Sequence, residues 1–246
     1  MKLTNHISLV ASGNNGLSLT HPLDCNVYYV DTGAGGILID TGAGADNQAI
    51  LREIQKDGYR VEDIQYVVIT HAHGDHGAAA DFFRDAAHAK LVTSGYEAGV
   101  LADKARMERT MAQYIATGLY PADYRFPSVE VDVKLEEGDC LQLGGVCLQA
   151  VITPGHTGGG LCLYGEIDGK NVLFSGDTVF FDGKINLMSI FDGDLLAYRD
   201  TLYKLEQLPV QMLLPGHLQP IMDRGAAHIQ KAAAAFHRFS VPPSIC

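Results

Sequence analysis

The chain has 246 residues, of which 47% are hydrophobic and 19% charged, with 18 Lys and Arg against 29 Asp and Glu and a mean hydropathy of +0.04. That apolar content can offset the entropy of ordering, so a disordered or low-complexity chain is excluded, and the length allows one large or two small domains. A net charge of −11 repels phosphate backbones and anionic bilayers, and no apolar run nears the ~20 residues that span a membrane, so neither nucleic acid nor membrane is an expected partner.

In chain order, Asn26–Val30 and Gly36–Asp40 read as strands joined by the turn DTGAGG, a hairpin signal. Asp46 is the expected N-cap of a helix to Lys56, with Ala49, Ile50 and Ile54 at helical spacing and Asp57-Gly58 closing it. Gln65–Thr70 contains YVVIT, short and β-branched, and reads as a buried strand. A helical pattern then runs from Tyr96 to Thr117 and stops before Tyr120-Pro121 and Phe126-Pro127. This stretch, about 96–127, carries Met107, Met111, Tyr114, Tyr120, Tyr124 and Phe126, and two readings stay open for it: a core-facing element or a substrate wall. Strands resume at Val129–Leu135, Cys140–Leu143, Val146–Thr153, Gly160–Gly165 and Asn171–Ser175, and helices at Leu195–Gln207 and Arg224–Phe239. Alternating strands and helices predict a layered α/β protein with a helical insertion at about 96–127, and a single site drawn from His71 to His217 would place all 246 residues in one domain.

Five cysteines, Cys25, Cys140, Cys147, Cys162 and Cys246, form no CxxC pair and are odd in number, so buried or reduced thiols are expected rather than a disulfide framework. The start, MKLTNHISLVASGNN, lacks the basic-then-apolar build of a signal peptide, and the expectation is a soluble, cytoplasmic chain.

The chemistry concentrates in THAHGDHG, Thr70–Gly77, directly after a buried strand. In extended backbone residues i and i+2 point the same way, so His71 and His73 can present two imidazoles to one cation. Gly74 permits a sharp turn, and Asp75 and His76 follow closely enough to serve a second cation. Imidazoles with one or two carboxylates suit Zn(II). Further ligands stand after later strands: His156 in TPGHTGGG, Asp177 in FSGDT and His217 in LLPGH, each on a strand, then a glycine-bearing turn, then a ligand. His6, His21, His88, His228 and His237 fit no such pattern and read as surface or packing residues.

HAHGDH at 71–76, PGHTGG around His156, the GD at 176–177 and the late PGH at 215–217 together resemble the metallo-β-lactamase superfamily, in order and in spacing. The resemblance implies an αββα sandwich of two mixed sheets flanked by helices. It also implies two metals per chain, zinc first with iron or manganese as alternatives. His71, His73 and His156 would bind one metal, Asp75, His76 and His217 the other, and Asp177 both, while Asp40 of LIDTG would orient a bound imidazole. Two such ions bring a bridging water's pKa near neutrality, so the expected reaction is attack of a metal-bridging hydroxide on an ester, lactone or thioester of a small molecule, with Asp75 handling the proton.

Departures from subfamilies narrow this. True β-lactamases of the family lack the bridging aspartate that Asp177 would supply. Glyoxalase II-type thioesterases carry a longer basic C-terminal extension, whereas 29 residues follow His217 here. Lactonase-type members place a tyrosine shortly after the bridging aspartate, where this chain has Thr178-Val179-Phe180-Phe181. Iron-dependent oxygen-using members are a further alternative. Flavodiiron proteins have glutamate in place of His73, and persulfide dioxygenases use a mononuclear site, against which His76 and His217 argue.

Overall fold

The structure, a computed structural model, describes residues 1–118, 120–188 and 193–245. Its first sheet has six strands in sequence order: β1 (Ile7–Ala11), β2 (Val27–Asp31), β3 (Gly36–Ile39), β4 (Ile64–Val68), β5 (Lys90–Ser94) and β6 (Val133–Leu135). The pairs β1/β2 and β2/β3 are antiparallel and the rest parallel. The second sheet contains β7 (Cys140–Leu143), β8 (Val146–Ile152), β9 (Leu161–Ile167), β10 (Lys170–Gly176) and β11 (Met212–Pro215), ordered β11-β10-β9-β8-β7. There β10/β11 is the parallel pair and the others are antiparallel.

The apolar pattern of the strands dictates the layering. Ile37 and Ile39 of β3 face Leu148, Leu163 and Phe174 in a cluster between the sheets, while Leu38, on the opposite face of β3, joins a second cluster. Burial on both faces explains why GILI is an uninterrupted apolar run rather than an alternating one. Tyr28 and Phe174 meet edge to face across the inter-sheet core with ring centroids 5.6 Å apart, a contact worth about 0.5–1.5 kcal/mol beyond area burial.

Helices cover the outer faces. α1 (Asn47–Lys56) starts where the sequence placed it, with the Asp46 carboxylate accepting from the Ala49 N–H at 3.1 Å. α2 (Gly74–Gly77), α3 (Ala80–Ala87), α4 (Gly95–Ala102) and α5 (Lys104–Ala116) follow on the first sheet's side, and α6 (Leu195–Leu205) and α7 (Gly225–His237) pack on the second. The architecture is an αββα sandwich of two mixed sheets.

Three sequence expectations change. The helix expected from Tyr96 to Thr117 is two helices, because the Asp103 carboxylate accepts from the Arg106 N–H and caps a new start. The strand expected over Val129–Leu135 pairs only from Val133, where it meets Val92. Cys140 and Cys147 are joined by a disulfide, against the expectation of free thiols: the β7–β8 hairpin pairs Gln142 with Cys147, which leaves Cys140 on the diagonal with its Cα 5.8 Å away. Cys25 and Cys162 are free and buried, and Cys246 lies outside the described residues.

Candidate metal centre

All seven expected ligands converge at one end of the sandwich. β4 ends at Val68 and the backbone bends over Thr70–Ala72, so His71 sits in the bend rather than in the extended run expected, His73 alone is extended, and the short α2 turn then carries Asp75 and His76. His156, Asp177 and His217 follow β8, β10 and β11 of the second sheet. Gly216 makes the last approach possible: a Cβ there would lie 2.5 Å from Asp177 Oδ1 and 2.6 Å from His76 Cε1.

His71 Nε2, His73 Nδ1 and His156 Nε2 form a triangle with sides of 3.0, 3.0 and 3.3 Å. Their other ring nitrogens fix the tautomers. Thr70 Oγ1 donates to Asp40 at 2.9 Å, so at 3.1 Å from His71 Nδ1 it must accept that N–H. His156 Nδ1 donates to the Asn186 carbonyl at 2.6 Å. For His71 and His156 the inward nitrogen is therefore a lone pair. A four-coordinate zinc with Zn–N bonds of ~2.0–2.1 Å holds its nitrogens about 3.3–3.4 Å apart, close to this triangle.

Beside it lies a second cluster. His217 Nε2 is 3.1 Å from Asp75 Oδ2, and His76 Nε2 is 3.6 Å from the same oxygen. Asp177 stands between the two clusters, with Oδ1 3.3 Å from His76 Nε2, and Oδ2 3.4 Å from His217 Nε2 and 3.6 Å from His156 Nε2. His76 Nδ1 donates to Asp40 Oδ2 at 2.8 Å, so Asp40 contacts one imidazole directly and another through Thr70. His76 Nε2 and Asp177 Oδ1 lie buried 3.3 Å apart without making a hydrogen bond, an arrangement that a cation between them and the neighbouring ligands would relieve. Donor chemistry, spacing and these two orphaned atoms fit divalent metal at both clusters.

Electrostatics divides the clusters. Burial, reinforced by neighbouring imidazoles, holds His71 well below the ordinary histidine range and pushes His73 down to about 3; burial lowers His156 as well. Burial also opposes charge on His217, but Asp177 and Asp75 outweigh it and hold this ring at about 9. For His76, burial is likewise outweighed, by Cys25, Asp177, Asp75 and Asp40, and its pKa lies well above the ordinary value.

Four residues support the ligands; Tyr120 lies in the stretch that the sequence left open as a substrate wall, and Asn186, Glu97 and Asn26 were not legible as site residues. Tyr120 Oη donates to Asp75 Oδ1 at 2.8 Å and accepts from the Asp75 N–H at 3.1 Å. Asn186 Nδ2 donates to Asp177 Oδ2 at 2.9 Å, so Asn186 orients Asp177 through its side chain and His156 through its carbonyl. Buried Glu97 accepts from the Ala72 N–H at 2.9 Å and from Thr157 Oγ1 at 2.6 Å, tying the HAH and PGHT turns together. Asn26 Nδ2 donates to the Pro215 and Leu218 carbonyls at 2.9 Å each and fixes the turn bearing His217. Of the last three, Glu97 alone left a signal, as a carboxylate inside the apolar helix GYEAGVLA.

The remaining histidines lie elsewhere. His6 pairs with Asp168, His237 with Glu206, His21 and His228 accept from backbone N–H groups, and His88 ends α3 in left-handed backbone.

The sequence profile of the metallo-beta-lactamase superfamily matches residues 21–217, most of the chain and every residue of both clusters. The chain belongs to this superfamily. It is 26% identical over 193 residues to a Methanocaldococcus jannaschii protein named "Probable metallo-hydrolase MJ0888", covering 77% of this chain and 85% of that one. It is 30% identical over 180 residues to a hydroxyacylglutathione hydrolase of Rhodopseudomonas palustris, covering 71% of this chain but only 56% of the relative. Among solved structures, a metallo-beta-lactamase from Cronobacter sakazakii, a HARLDQ-motif mutant, superposes with a TM-score of 0.74 at 23% identity, covering 97% of this chain and 95% of that one. At that identity the likeness concerns the superfamily fold. Within the superfamily this chain is a metallo-hydrolase in the broad sense. No helix among the described residues is long and apolar enough to cross a membrane.

Proposed function

We propose that the chain is a dinuclear zinc-dependent hydrolase that cleaves an ester, lactone or thioester bond of a small molecule. The observation that carries this reading is Asp177, whose two oxygens reach histidines of both clusters. When bound, such metals polarise a carbonyl and supply a nucleophilic water at neutral pH. The chain's own residues do the rest. Asp40, Thr70 and Asn186 hold His76, His71 and His156 in single tautomers, and Asp75 lies where it can orient a nucleophile and carry its proton. Asp75 has one oxygen toward His217 and the other held by Tyr120, so the phenol fixes which oxygen faces the cluster.

Metal analysis tests the reading first: about two zinc per chain is expected, followed by turnover on a panel of lactones, acyl thioesters and aryl esters. One iron per chain with oxygen uptake would replace it with the oxygen-using alternative. The hydroxyacylglutathione hydrolase among the relatives keeps the thioester within the panel.

Two further outcomes are expected. At pH 7 the first triad is already neutral, whereas His217 and His76 hold protons, so the second metal equivalent releases about one to two protons and the first almost none. Affinity at the second cluster therefore rises with pH through about 9, where His217 gives up the proton that competes with the metal. Calorimetric titration in buffers of different ionisation enthalpy separates the two equivalents, and equal proton release from both contradicts the assignment. Tyr120→Phe is expected to weaken the second equivalent about 10–100-fold while leaving the first unchanged. Competition with a chromophoric chelator reads this out, and an unaltered second affinity would reduce Tyr120 to packing.

A further inference from the structure

Beyond its ligands and Asp24, the cleft beside the clusters has a mainly apolar wall of Pro22, Leu23, Tyr114, Tyr120, Met188 and Ile245, with the amides of Asn15 and Asn186 as its neutral polar groups. The charged side chains among its described residues are the carboxylates Asp24, Asp75 and Asp177 and the site histidines, and none of these described residues is Lys or Arg. Asp24 is committed elsewhere, accepting from Thr20 Oγ1 at 2.7 Å and from the Ala43 N–H at 2.8 Å.

Ile245 reaches this cleft from far along the chain by a defined route. After α7, Ser240 N–H donates to the Ala235 carbonyl and turns the backbone out of the helix, and Pro242-Pro243 stiffens the chain beyond it. The segment then pairs in parallel with Ile185: Ile185 N–H donates to the Pro243 carbonyl and Ile245 N–H to the Ile185 carbonyl, both at 2.9 Å. Ile185 is fully buried and immediately precedes Asn186, which orients His156 and Asp177. The strap that delivers Ile245 is thus anchored one residue from the machinery of the site.

We propose that the substrate's non-reacting arm is an uncharged, apolar chain, and that Ile245 sets the length of arm the cleft accepts. This rests on the hydrolase reading. An anionic arm, such as the two carboxylates of a glutathionyl group, would leave water for a cleft whose described residues offer it carboxylates and no lysine or arginine. An alkyl or acyl arm would instead cover the apolar wall and meet only neutral amides beside it, the usual build of a small-molecule site. Any positive charge that metals bring would sit at the scissile bond rather than along the arm.

The test uses zinc-loaded wild type, Ile245→Ala, Ile245→Trp and Ile245→Lys, with metal content and Tm recorded for each. Substrates are esters and lactones with arms of increasing length, plus ω-carboxylated counterparts of matched length. Wild type is expected to favour the neutral member of each pair by roughly tenfold or more in kcat/KM. The long-to-short ratio of kcat/KM should fall about tenfold in Ile245→Trp and shift the opposite way in Ile245→Ala, while Ile245→Lys narrows the penalty on the carboxylated series. Wild-type preference for carboxylated arms overturns the inference, as does a length profile unchanged in both Ile245→Ala and Ile245→Trp, and in either case the hydrolase reading stands. No turnover of any ester, lactone or thioester by the zinc-loaded wild type overturns both.

Discussion

Removing metal with a chelator is expected to abolish hydrolysis, to lower Tm by about 8–16 °C, and to be reversed by adding zinc. A ligand present at a thousand times its Kd stabilises the native state by about 4 kcal/mol, and a domain of this size shifts by about 2–4 °C per kcal/mol. One tightly held equivalent is enough for the shift given. The effect has a visible source: the lone pairs of His71 Nε2 and His156 Nε2 face each other at 3.3 Å, with His73 Nδ1 3.0 Å from both, and His76 Nε2 and Asp177 Oδ1 are buried without a hydrogen bond. The fold itself should survive, because the three apolar clusters are built from other residues apart from the small side chains of the turns. Scanning calorimetry and turnover on the same samples check both halves. Hydrolysis that persists in protein shown to be free of metal would end the metal-dependent reading.

Asp75→Asn is expected to lower kcat by about 10²–10⁴, the range for losing a positioned acid–base group. The substitution preserves shape, and its amide oxygen can still accept from Tyr120, as Asp75 Oδ1 does at 2.8 Å. What changes is the atom facing His217, where a carboxylate oxygen now lies 3.1 Å away and an amide nitrogen would stand. Metal content decides how a loss is read. A variant that keeps both equivalents and loses turnover assigns the effect to the proton; one that loses the second equivalent assigns it to binding. Full kcat with both metals retained would remove Asp75 from the chemistry.

Legibility in the sequence followed the range of the interaction. His71, His73, Asp75 and His76 were readable because a strand, a glycine turn and a one-turn helix place them within six residues, and local backbone geometry suffices. α1 was readable for the same reason, through its Asp46 cap and apolar spacing. Tyr120 and Asp75 are 45 residues apart and Asn186 and His156 30, and neither tyrosine nor asparagine declares a partner before the sheets bring the segments together. β1 and β5 went unread because each is a short run whose partners, Val27–Val30 and β4, lie elsewhere. The disulfide was missed because a count of cysteines says nothing of hairpin register, and the pairing of Gln142 with Cys147 is what brings Cys140 within reach. The open question over residues 96–127 divides: Met107, Met111, Tyr124 and Phe126 belong to the core, while Tyr114 and Tyr120, also buried there, face the cleft as well.

The two clusters draw on both layers of the sandwich. His71, His73, Asp75 and His76 hang from the first sheet, and His156, Asp177 and His217 from the second. Cations seated between them would join the layers at their rim as a disulfide joins two strands, closing chain loops far longer than that of Cys140–Cys147. Slow amide exchange would then spread to both sheets together on metal loading. The reagent that switches on catalysis would also rivet the halves into one unfolding unit.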